Sequence, residues 1–219
     1  MQPETETQEG AVGESGLWRL GVSYGQFSTD LSLTDDAGKA HDATLTERML
    51  VMSASRQLPD DWSLSFSAGA ALTGQMRALG TRYSVTPGVV VAVRASKRWL
   101  DGEGALPFLT TGLSLSVSRV ELQTFAAPRA GEIVALDARL EVVLGKTFFE
   151  IWTPWLALRG FFGPVFATLG GVDTVGTDKH HYQVAFGTSF TIQSGQSGQT
   201  GQSGVGPVSL YVEGSPLGE

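Results

Sequence analysis

The chain has 219 residues, of which 42% are hydrophobic and 17% charged, with a net charge of −7 and no cysteine. That length fits one ordinary domain, and the missing cysteines exclude a disulfide framework and any thiolate metal site. The acidic balance argues against nucleic acid as the main partner, since phosphate binding needs a basic surface, and no run approaches the roughly 18 apolar residues of a spanning helix.

Residues 1–16, MQPETETQEGAVGESG, carry four Glu and no basic or bulky aromatic residue. They read as a disordered acidic tail and not as a secretion signal, which needs a basic start and an apolar middle. The expectation is that the sequence begins after a removed signal.

Eight strand candidates follow, at about 17–33, 43–58, 62–78, 88–100, 106–123, 133–149, 155–170 and 180–192. The third shows the pattern best. From Trp62, one alternate set is Trp62, Leu64, Phe66, Ala68, Ala70, Leu72 and Met76, and the other is Ser63, Ser65, Ser67, Gly69, Ala71, Thr73 and Gln75. Alternation places the two sets on opposite faces, so each strand is expected to carry one continuous apolar face. Connections alternate in length: 59–61, 101–105 and 150–154 are short, whereas 34–42, 79–87, 124–132 and 171–179 are longer and more polar. Trp18, Trp62, Trp99, Trp152 and Trp155 all fall at the short-turn rim, where a girdle of amphipathic rings at a membrane–water interface belongs.

Residues 193–207 begin with QSGQSGQTGQSG and read as a flexible polar linker. In 208–219, Val208, Leu210 and Val212 alternate with Ser209, Tyr211 and Glu213 to give a further strand. Barrels of this kind close with an even number, so a ten-stranded barrel with one more strand is expected in preference to eight strands and an accessory. The fold class is all-β, an antiparallel up-and-down transmembrane β-barrel of 8 to 10 strands.

In repeat pattern, loop asymmetry and tryptophan girdle, residues 17–213 resemble the small outer-membrane β-barrel proteins of Gram-negative bacteria, of the outer-membrane protein A and X type. The resemblance implies an outer-membrane location and the lipid bilayer as the principal partner. The chain is expected to be a monomer.

With apolar faces turned to lipid, Arg19, Arg94, Arg98, Asp137, Arg139, Glu141, Arg159 and Glu213 point inward. In Asp137-Ala138-Arg139-Leu140-Glu141, acid, base and acid share one face. An interior this narrow is filled by side chains, so an ion-pair plug is favoured over an Arg-lined path for small anions. As a catalytic pair, Asp137 and Glu141 stand about 13 Å apart along one strand, beyond the roughly 5–9.5 Å of glycosidase carboxylates.

Gly21-Val22-Ser23-Tyr24-Gly25 matches a nucleophile elbow literally, but Trp18, Leu20, Val22 and Tyr24 continue one strand face through it, whereas the elbow needs a strand, a turn and a helix. Gly145-Lys146-Thr147 lacks both the earlier glycine and the helix of a phosphate loop. His180 and His181 are adjacent and face opposite ways on a strand, so with His41 they are read as loop-mouth residues and not as metal ligands. No cofactor, metal or enzymatic activity is expected.

The role expected from the sequence is structural or interactive, with loops near Asp35, Arg82, Arg129 and Asp173 facing outside. Two alternatives stand beside it: a narrow channel for small solutes or anions, and a soluble β-barrel that holds an apolar ligand inside.

Overall fold

The structure is a computed structural model and describes residues 18–125, 127, 130–192 and 208–217. The expected tail over 1–16, the linker over 193–207 and Arg129 lie outside the described residues. The described chain contains twelve strands and no helix. They are β1 (Trp18–Asp35), β2 (Ala40–Gln57), β3 (Trp62–Ala78), β4 (Thr81–Val85), β5 (Gly88–Asp101) and β6 (Phe108–Gln123). There follow β7 (Gly131–Gly145), β8 (Trp152–Phe162), β9 (Pro164–Leu169), β10 (Val172–Asp178), β11 (Tyr182–Ile192) and β12 (Val208–Leu217).

All pairings are antiparallel, and β1, β2, β3, β4, β6, β7, β9 and β10 close into a ring of eight. Below that ring, β5 continues the place of β4 between β3 and β6, and β8 continues that of β9 beside β7. A ladder path that starts at Tyr24 runs through Leu50, Ala70, Val89, Arg119, Val134, Phe166 and Val175, and returns to β1 at Thr34, ten residues along. That stagger tilts the strands against the ring axis, and eight strands leave an interior that side chains fill.

Two expected loops are hairpins instead. Residues 79–87 hold β4, because Leu79 and Gly80 take left-handed φ values of 52° and 72° and turn β3 back on itself in two residues. Residues 171–179 hold β10, which follows the left-handed pair Gly170 and Gly171. Such pairs give strands the twist a tight hairpin needs, so a polar stretch can still be fully paired. The strand expected over 155–170 starts at Trp152 and divides at Gly163, and the one expected over 133–149 stops at Gly145.

The expectation of one continuous apolar face per strand is overturned, because the two ends of the wall have opposite sidedness. In the closed ring, Leu31, Leu33, Leu45, Met76, Tyr83, Val85, Val120, Leu122, Ile133, Val165 and Leu169 are buried in one internal cluster. Around them the outer positions on β2, β3 and β4 are polar, such as Thr44, Thr73, Gln75 and Arg77, all exposed, while Phe166 on β9 and Val175 on β10 are exposed apolar residues. Toward the Trp18 end the order reverses: Leu20, Val22, Tyr24, Met52, Phe66, Val91, Leu115, Leu140, Leu158 and Phe186 are exposed on the outer face. Their inward neighbours there are Gly21, Ser23, Ser53, Ser67, Arg94, Ser116, Glu141 and Arg159.

On β3 a one-residue irregularity helps make the exchange. Arg48 faces Thr73 and Met49 faces Ala71, so Leu72 has no partner on β2 and alternation shifts by one. Met76, expected on the face of Trp62 and Phe66, is therefore fully buried inside.

Candidate functional site

A chain of ion pairs occupies the interior of the half whose outer face is apolar. Arg94 on β5 donates from Nη2 to Glu141 Oε1 at 2.5 Å, and Arg159 on β8 donates from Nε to Glu141 Oε2 at 2.8 Å. Arg159 then grips Glu213 on β12 with both terminal nitrogens, Nη2 lying 3.0 Å from Oε2 and Nη1 bonded to Oε1. Gln183 on β11 accepts a longer contact from Nη1 at 3.5 Å. Period-two alternation brings these groups together: Glu141, Arg159 and Gln183 are ladder neighbours on successive strands, so their side chains leave the sheet on one face. Glu141 and Arg159 are buried, and the pair is tolerable away from water because Glu141 accepts from two guanidinium groups and Arg159 also forks onto Glu213.

The other expected lumen residues are arranged more loosely. Asp137 and Arg139 share the inner face of β7, with Arg139 Nη2 3.9 Å from Asp137 Oδ2 and its guanidinium 4.8 Å from the centre of the Phe161 ring. The buried Arg139 Nε has no hydrogen-bond partner among the described residues. Arg98 packs over Phe108 at 5.2 Å near the rim, and Arg19 is exposed on β1. Neither joins the chain of ion pairs through Glu141.

Trp18, Trp62, Trp99 and Trp152 all stand exposed at one rim. Trp99 Nε1 donates to Thr111 Oγ1 at 2.8 Å and Trp152 Nε1 to Thr188 Oγ1 at 2.7 Å. Lys97 lies over both Trp62 and Trp99, at 5.5 Å and 4.8 Å, and Arg56 lies 5.9 Å from Trp18. Each ring thus has an apolar body outside and a polar or cationic neighbour at its edge or face. Trp155 departs from the set: its ring covers Gly187 so closely that no Cβ would fit there.

Ser23 of the apparent nucleophile elbow lies on straight β1 with its hydroxyl 3.4 Å from the Val51 carbonyl, and no turn or helix follows it. Lys146 spans the neighbouring turn, donating to the carbonyls of Gly102, Gly104 and Leu106 at 2.5–2.7 Å. His41 bonds Asp35, 3.0 Å away at the closed-ring end, and that bond, with the Lys39 N–H, holds the Asp35 carboxyl below the usual carboxylate range. No group of three or more metal-ligating side chains occurs among the described residues.

Two inward polar groups were not singled out from the sequence. Glu47 is 6% exposed, and its Oε2 has no partner among the described residues. Thr29 donates to Asp178 at 2.5 Å. Both lie where the interior changes from charged to apolar, and their signal was the inner-set position they share with Leu45 and Leu31.

No family model, curated protein sequence or solved structure matches this chain.

Proposed function

We propose that this chain is an integral outer-membrane β-barrel whose Trp-rimmed half spans the bilayer, while its closed-ring half stands clear of it as a sealed cap. The observation that carries the reading is the reversal of sidedness along the wall. A water-surrounded ring buries apolar groups, as the closed end does, and only a hydrocarbon surround favours the opposite arrangement. On β7 the outward set below the ring, Leu136, Ala138, Leu140, Val142 and Leu144, covers eight residue steps, about 26 Å of strand or about 20 Å of height at a tilt near 40°. That height approaches the apolar band of such barrels, about 25 Å.

In this reading the role is structural or interactive and the barrel is plugged. Leu33, Met76, Leu122 and Leu169, all fully buried, fill the closed ring, so a solute that passed the charged interior would meet packed apolar side chains. The same packing disfavours a ligand-holding soluble barrel, since the apolar interior is occupied by the chain's own residues. Partner contacts fall to the polar cap, with the tail and the tryptophan rim on the periplasmic side.

Depth-resolved quenching by brominated lipids tests the placement. In a Trp155→Phe background, the four rim tryptophans are expected to be quenched most by bromines close to the headgroups. Equal quenching at every depth, or none, contradicts the reading.

A further inference from the structure

Among the described residues the wall is closed at the cap and unclosed at the seam below it. β1 pairs with β10 from Leu31↔Asp178 to Asp35↔Thr174, and one more bond runs from Lys179 N to Asp30 O at 2.8 Å. From there toward Trp18, β1 pairs among the described residues with β2 alone. The edge of β11 that β1 would have met is taken by β12, through ladders such as Phe190↔Leu210 and Thr188↔Val212. Two edges therefore face one seam, that of β12 and that of β1 between Trp18 and Thr29. Leu20, Val22 and Tyr24 are 84%, 69% and 64% exposed there.

β1, β8 and β12 run one way; β2 and β11 run the other. Two edges that run the same way cannot pair antiparallel with each other, but a single strand of opposite direction pairs with both. We propose that this seam is a docking site for one further β-strand, antiparallel to β1 and β12, with apolar side chains outward and small or acidic ones inward. This rests on the membrane reading above, in which an unpaired edge has no water to satisfy it.

The chemistry of the occupant follows from the two edges. Its outer set lies between Leu20, Val22 and Tyr24 on one side and Leu210 and Val212 on the other, so that set is apolar. Its inner set faces Gly21, Ser23 and Gly25, and also Arg19, which makes no ion pair with a described residue, so one inner position is acidic. A second copy of this chain does not fit. Inserted in the same orientation, it offers β1 and β12 edges that again run the same way. The occupant is a lone extended segment added by backbone pairing.

Cysteine pairs and a synthetic strand test this in detergent micelles. The pair Phe190→Cys with Leu210→Cys is expected to form a disulfide. Phe190→Cys with Leu20→Cys is expected not to form one, since that pair closes only if β1 meets β11 directly. A peptide of about ten residues, the length that crosses a bilayer as a strand, is then added during refolding. It alternates leucine with serine and carries one aspartate in the serine set. With a photoreactive phenylalanine at Leu20, and separately at Val212, the peptide is expected to label both positions, and several-fold less when its aspartate is replaced by lysine. A Leu20–Phe190 disulfide, or labelling at neither position or at one alone, overturns the docking site while leaving the membrane reading intact. A chain that stays soluble without detergent overturns the membrane reading itself.

Discussion

Phe66→Arg is expected to abolish folding into lipid vesicles while Ser84→Arg folds as the parent does. Phe66 lies on the outer face of β3 in the Trp-rimmed half, flanked by Ala54 and Val93 on β2 and β5. An arginine near the midplane of a barrel's lipid face costs roughly 2–4 kcal/mol, about a 30-fold or greater loss in the folded fraction of a marginal barrel. Ser84 is exposed on the outer face of the cap, where its neighbours Gln75 and Gln123 are polar, so an added charge there stays in water. The comparison introduces the same arginine on the outer face at two heights on the wall. Electrophoretic mobility after refolding reads both variants, and equal folding of the two overturns the assigned facing.

Arg159→Met is expected to destabilise the barrel by about 3–5 kcal/mol. Arg159 stands between Glu141 and Glu213 and bonds both, so its loss takes from Glu213 its two-pronged partner and leaves buried Glu141 with the half-exposed Arg94. Breaking a buried pair by removing one partner costs more than the pair contributes, because the survivor keeps its desolvation penalty. Arg94→Met is the informative contrast. The Arg94 side chain is 43% exposed and Glu141 keeps Arg159, so solvent screening limits that loss to about 1 kcal/mol. Denaturant midpoints in micelles measure both, and equal midpoints contradict the assignment of Arg159 as the shared cation. Because Glu213 sits on β12, Arg159→Met is also expected to loosen that strand, which faster amide hydrogen exchange across β12 reports.

The strand content was legible because period-two alternation survives in nearly every segment: β3 spans Trp62–Ala78, the range expected from its residues. The inward facing of Asp137, Arg139 and Glu141 follows from the same rule. What alternation cannot register is a shift in its own phase. Leu72 is an ordinary apolar residue that continues the series, yet it lacks a partner on β2, and the residues beyond it change sides. Hairpins at Leu79-Gly80 and Gly170-Gly171 were hidden for another reason, since β4 and β10 are short and rich in Thr, Ser, Arg and Asp, the composition of a loop. The ion-pair chain was legible as a set of residues but not as a connected path. Which strands are neighbours across β7, β8, β11 and β12 is a property of register, and a single sequence does not carry it.

The most direct test of the account is the mobility of unheated and boiled protein on a gel after refolding in detergent, beside the same protein prepared without detergent. A wall closed at the cap and carrying an apolar outer band is expected to run differently before and after boiling, and only when detergent covers that band. A monodisperse protein without detergent, with no shift on heating, would contradict it: the outer residues Leu20, Phe66, Leu140 and Phe186 would then meet water and not lipid.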